Sequence, residues 1–263
     1  CRNLRIKYYF CLYKNSKFKL YPMKFISSIL LGFVFCNPLA NEYSNFDSIL
    51  SKYVDPDGLV NYQAIIDSPY NINEYLDFIK NVSPQSHPKL FPTKNDKLAY
   101  WINAYNALVI KLMIENPSTN ILEISFGHLI WLTKFDVGLK KISLYEIEHK
   151  ILRKLDSRIH FAISCGSKSC PPLGQRVYLG RTLDVQLEIG AKDFINNKNN
   201  VFIDFDNKTL YLNRIFKWYK KDFVNVKKYI VTYLSDGTSF DQIKNFKLKY
   251  NDYDWSLNSQ IKK

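Results

Sequence analysis

Methionine and cysteine are scarce in this chain, and acid is missing from one end of it. The two methionines are Met23 and Met113, so residues 1–22 hold none. Residues 1–40 carry seven Lys or Arg and no acid, leaving 30 basic and 24 acidic residues, net +6, in the remainder. Such a surplus is ordinary for a solvated surface. No basic run interleaved with aromatics occurs, so no nucleic-acid partner is expected. No apolar run reaches the length of a membrane span, and there is no internal repeat or low-complexity linker. HExxH and CxxC spacings are also absent, which argues against a metal site, and no cofactor is expected.

From Met23 the chain has the layout of a secretory signal peptide. Lys24 precedes an apolar run from Phe25 to Cys36, and small and turn residues continue to Ala40. The expectation is an upstream extension over 1–22, a signal peptide over 23–40 cleaved after Ala40, and a single domain over 41–263. The protein would then be periplasmic or secreted, and a monomer. Lipidation of Cys36 is disfavoured by bulky Phe35 before it. Of five cysteines, only Cys165 and Cys170 lie beyond Ala40. In an exported protein one close pair is most often joined. Closing so short a loop contributes only roughly 2 kcal/mol.

Phe46–Val54 reads as a short helix, Asp55-Pro56-Asp57-Gly58 as a turn, Leu59–Ile66 as extended, and Ile72–Asn81 as a helix. The strongest helix signal starts at Thr93, with Asp96 three residues on, and runs to Glu115 before Asn116-Pro117. It is nearly apolar all round, which predicts a central buried helix. Asn103 and Asn106 interrupt it on one face and must be hydrogen-bonded there, either to brace a neighbouring loop or to orient groups in a site. Ser143 with Glu146 opens a helix to about Leu155 whose stripe is Leu144, Ile147, Ile151 and Leu155. Glu148 projects within that stripe and His149 sits near its edge. Further on come a helix over Leu183–Asn196, a hairpin of Val201–Phe205 with Thr209–Leu212, helices over Ile215–Phe223 and Val226–Leu234, and a strand over Phe246–Tyr250. Without βαβ alternation the class is α+β, a central buried helix packed on a small, largely antiparallel sheet.

The chain's chemistry is expected at Ile159–Leu173, IHFAISCGSKSCPPL. Ile159–Ile163 reads as a buried strand leading to a loop of Gly166, Ser167, Lys168 and Ser169, with Cys165 and Cys170 on either side. Small residues there allow backbone N–H groups to approach an anion or a carbonyl oxygen.

Together, YWINAYNALVI (100–110), SLYEIEHKILR (143–153), HFAISCGSKSCPPL (160–173), RIFKWYKKDF (214–223) and YDWSLN (253–258) resemble the family of the domain of unknown function 547, with order and spacing matching from about residue 44 to 259. The resemblance marks Asn103, Asn106, Glu148, His149, His160, Cys165 and Cys170 as motif residues and implies no particular reaction.

Two functions are open. One is a thiol-dependent hydrolase or acyl transferase, with Cys165 or Cys170 as nucleophile, His149 or His160 as base and Glu148 or Asn103 orienting it. By analogy this has the layout of a papain-like or transglutaminase-like site in a different chain order. Strand alternation sets His160 opposite Cys165, so His149 is the better base. The other is a non-catalytic envelope module that binds a small molecule or peptide, with Cys165–Cys170 as a disulfide. Lys168 is a solvated lysine or a holder of an anionic substrate. Trp218-Tyr219 and Tyr253-Asp254-Trp255 read as core packing.

Overall fold

The computed structural model describes residues 40–68 and 70–260. The expected extension and signal peptide, up to residue 39, lie outside the described residues. Helices α1 (Ala40–Tyr53), α2 (Tyr62–Asp67) and α3 (Tyr70–Asn81) precede the longest one, α4 (Lys94–Glu115). The chain then runs through a 3-10 segment (Ile121–Leu132), the hairpin β1 (Lys134–Val137) and β2 (Lys140–Ser143), and α5 (Leu144–Glu146). Beyond residue 180 lie α6 (Leu183–Asn196), β3 (Val201–Asp204), β4 (Thr209–Leu212), α7 (Ile215–Trp218), α8 (Val226–Tyr233), α9 (Phe240–Ile243) and β5 (Lys247–Tyr250). The class is α+β.

Helix α4 starts where its capping box predicts: the Thr93 side chain accepts from the Asp96 N–H and the Asp96 carboxylate accepts from the Thr93 N–H. Leu98–Ile110 are all buried, so an apolar surface on every side has cost the helix nothing. Its main neighbours are other helical segments, α2, α3, α5 and α6, rather than a sheet. Strands β1 and β2 form an antiparallel pair. In the second sheet β3 pairs antiparallel with β4, while β5 runs parallel to β4.

Buried apolar side chains form two clusters. One surrounds α4 and takes in α1–α3, Ile159, Ala162 and Ile163. The other gathers Phe161, Phe194, Phe216, Phe223 and Ile230 over the second sheet. Helix α6 belongs to both, through Leu183 and Leu187 in the first and Ala191, Phe194 and Ile195 in the second.

Three local expectations are overturned. Residues 62–67 are helical rather than extended, because the Asn61 side chain caps the Ala64 N–H. Residues 215–223 are helical only to Trp218 and continue as turns. Most consequentially, Ile159–Ile163 is no strand. Ser157–Phe161 is a 3-10 turn, capped at its start where the Asp156 carboxylate accepts from the Arg158 N–H. The run is buried as expected, but Asn106 takes the place of a neighbouring strand: it donates to Ala162 O at 3.0 Å and accepts from Ser164 N at 2.9 Å.

Candidate functional site

The helix opened by Ser143 and Glu146 does not continue as an α-helix. After α5 the chain makes a π turn over Ile147–Ile151 and a 3-10 turn over Leu152–Lys154. The extra residue in the π turn shifts the register, so Leu152 is buried while Ile151, part of the predicted stripe, is only half-buried. Glu148 turns inward with it, 3 % exposed.

Glu148 and His149 face a cavity of about 290 Å³. Tyr105 of α4, Trp131 of the 3-10 segment, Tyr145 of α5 and Trp218 of α7 also line it. So do His160, Ile163, Cys165, Cys170, Tyr219, Tyr253 and Trp255. It lies where the two apolar clusters meet, for Tyr105 and Ile163 belong to the first and Ile215 to the second. His160 and Cys165 therefore share one cavity, because without a strand there is no alternation to separate them.

The charges beside it are tightly paired. Arg153 holds Asp222 with two parallel bonds, Nε to Oδ2 at 2.6 Å and NH2 to Oδ1 at 2.9 Å. His160 Nε2 donates to the same Oδ2 at 2.8 Å. Burial holds the His160 imidazole down to about 4; the Asp222 carboxylate pulls the other way, but Arg153 already neutralises it. Burial pushes Asp222 up, yet the bonds from Arg153 and His160 outweigh it and leave the carboxylate below its usual range. Arg153 also donates to His149 Nδ1. A guanidinium can only donate, so Nδ1 must be the acceptor and His149 is the neutral Nε2–H tautomer. Burial and the Arg153 charge lower its pKa accordingly.

Glu148 is the exception. Its Oε1 receives no hydrogen bond from any described residue and lies 3.9 Å from His149 Nε2, too far for one. Burial raises its pKa, against the lowering pull of the Tyr219 and Tyr105 hydroxyls and Arg153.

The cysteine loop is closed by a Cys165–Cys170 disulfide. Four of its N–H groups are committed within the protein. Cys165 N donates to Cys170 Sγ, Cys170 N to Ser167 O, Lys168 N to Ser256 O and Ser169 N to Asp254 O. The small residues accommodate the C-terminal segment instead: Asn258 N donates to Gly166 O, and Ser169 Oγ accepts from Asp254 N. Gly166 has φ +88°, and a Cβ there would come within 3.1 Å of Ile121. Ser167 is buried, its Oγ 3.1 Å from Cys165 Sγ and 3.2 Å from the Tyr253 hydroxyl. Lys168 is exposed and faces a different cavity, of about 600 Å³, with Tyr62, Met113 and Glu123.

Glu148, His149, His160, Cys165 and Cys170 are thus brought together. Asn103 and Asn106 stand apart and brace backbone; Asn103 donates to Tyr178 O at 2.8 Å and accepts from Tyr178 N at 2.9 Å. Sequence reasoning missed Arg153 and Asp222, and assigned the aromatic residues to the core. Trp218 is 44 % exposed and Tyr253 and Trp255 are half-buried at the cavity, so they are walls rather than core. Their density within short segments was the available signal. Among the described residues no three His, Cys, Asp or Glu side chains are grouped to hold a metal ion, and no helix is long and apolar enough to cross a membrane.

No curated protein and no solved structure matches the chain. A family model matches residues 90–195, a stretch that includes Tyr105, Glu148, His149, His160 and both cysteines but stops short of Trp218, Asp222 and Trp255. Over residues 90–195 the chain is similar to the family described as Protein of unknown function, DUF547.

Proposed function

We propose that this is an exported binding protein that takes a small ligand into the aromatic cavity, with Glu148 as its polar anchor. The observation that carries this reading is Glu148 Oε1, a buried acceptor without a hydrogen bond from the described residues, in a residue that lines the cavity while the neighbouring charges of Arg153, Asp222 and His160 pair with one another. A buried polar atom left unpaired costs about 1–3 kcal/mol, which a ligand donor or charge would recover. Three of the four tryptophans line the cavity, as do Tyr145, Tyr219 and Tyr253, offering large flat faces around one anchor. An oxidising compartment would keep the Cys165–Cys170 bond closed as part of the wall.

Thiol chemistry is the second reading, favoured by the placing of Cys165, His149 and His160 in one cavity. It requires the disulfide to be reduced first, since the thiolate is the nucleophile. With Nδ1 engaged by Arg153, His149 has no second ring nitrogen free to accept a proton.

A small-molecule screen on the oxidised protein, with contacts mapped by NMR shift changes, tests the binding reading. Hits should map to Glu148, Trp218 and Tyr253. Hits that all map elsewhere overturn it. So does hydrolytic turnover that appears on reduction and vanishes in Cys165→Ser.

A further inference from the structure

We infer that the ligand is a methylated ammonium ion, its cationic head held within the aromatic box and against Glu148 Oε1. This rests on the reading of the cavity as a ligand site and specifies what that site selects.

Three features of the box point to this class. Tyr145 stacks on His149 and His160 on Tyr219, whereas the four rings of Trp131, Trp218, Tyr253 and Trp255 meet at wider angles. Trp218 and Tyr253 lie 4.7 Å apart between centroids at 55°, Tyr253 and Trp255 4.5 Å apart at 52°, and Trp131 meets Trp255 at 85°. Tilted rings present several π faces to one volume, which is how a cation is held without water. Next, the polar atoms around the box are largely committed. Tyr253 OH accepts from Ser167 Oγ, His149 Nδ1 from Arg153, and Asp222 binds both Arg153 and His160. Oε1 of Glu148 is the buried acceptor at the box that has no hydrogen bond from the described residues.

A single free acceptor discriminates among cations. A primary ammonium has three N–H donors, two of which would be left unpaired against indole and phenol rings. A quaternary ammonium has none and a tertiary one has a single donor, which Oε1 matches. A sugar would bring many hydroxyls to a box with one free partner and is disfavoured on the same count.

Charge, the third feature, favours the same class. Arg153 is neutralised by Asp222 and both histidines are held neutral, so the cavity presents no uncompensated positive charge to repel a cation. Glu148 faces Tyr105 from α4, His149 and Arg153 from its own segment, and Tyr219, Asp222 and Tyr253 from beyond α7. Burial favours its protonated form, and a bound cation would favour the carboxylate. Binding therefore releases a proton and strengthens as pH rises through the Glu148 titration.

The test uses the full chain with its disulfide closed, titrated with choline and with its uncharged isostere 3,3-dimethyl-1-butanol, read by tryptophan fluorescence and calorimetry. Choline is expected to bind at least about tenfold more tightly than the isostere. Its heat should depend on the buffer's ionisation enthalpy as a proton is released. Glu148→Gln should weaken choline binding more than isostere binding and so narrow the preference, the remainder coming from the rings. The choline-to-isostere comparison on the unsubstituted protein stands even if that variant does not fold. Equal affinity for the two overturns the cation inference and leaves the ligand site intact. Binding of neither, or of glucose in preference to both, also overturns it, and the ligand-site reading then stands or falls on the mapped screen.

Discussion

Glu148 and His160 are two buried titratable groups whose stability effects run in opposite directions with pH. Glu148 has its pKa raised, so its folded form prefers the proton; the associated stability is full at low pH and lost as pH rises through the folded pKa. Glu148→Gln, which keeps the shape without the charge, should therefore gain on the parent protein as pH rises above the ordinary carboxylate range. Urea unfolding at a series of pH values measures this, and a constant difference between the two proteins would refute it. His160 is lowered from 6.5 to about 4, so the folded protein favours the neutral ring. Its contribution is present above pH 6.5 and is lost as pH falls toward 4, a change on the order of 3 kcal/mol. His160→Gln should flatten the unfolding profile in that window. At Gly166, alanine would have to adopt φ +88° and would press against Ile121, so Gly166→Ala should lower stability by about 1–3 kcal/mol in the same urea experiment.

Segments that end in side-chain caps or carry a full period were legible; segments defined by partners far along the chain were not. Thr93 with Asp96 and Ser143 with Glu146 each marked a helix start that the structure keeps, and Leu183–Asn196 has its expected bounds. Ile159–Ile163 was unreadable because five apolar residues carry no usable period, and what organises them is Asn106, more than fifty residues earlier. The π turn was hidden for a related reason: one inserted residue leaves the composition of a helix unchanged while rotating everything after it. The gathering of Glu148, His149 and the cysteines could be anticipated from their motifs, whereas the aromatic walls come from five separate stretches. Asn106 gives the element-scale prediction. Asn106→Ala strands the Ala162 carbonyl and the Ser164 N–H at about 1–3 kcal/mol each. The loss should be about 3 kcal/mol by urea unfolding, more than the roughly 2 kcal/mol for breaking the short disulfide loop in Cys165→Ser/Cys170→Ser. The opposite ranking would mean that the disulfide, not the amide, shapes this segment.

Across the whole molecule, α6 ties the two apolar clusters together, and the cavity lies along their junction. Helix α6 should accordingly unfold with both clusters, so hydrogen exchange is expected to show comparable protection at Leu187 and Ile195; a large difference between them would separate the clusters into independent units. The cysteine loop has a different dependence. It is held through Ser256, Asp254 and Asn258, and Tyr253 stands 88 positions after Cys165. At a synthesis rate of about 5–20 residues per second, the two thiols emerge some seconds before the residues that enclose them. A growing or prematurely stopped chain would therefore carry a reactive, unsheltered dithiol, and alkylation during translation would mark it at a stage when the finished protein no longer reacts.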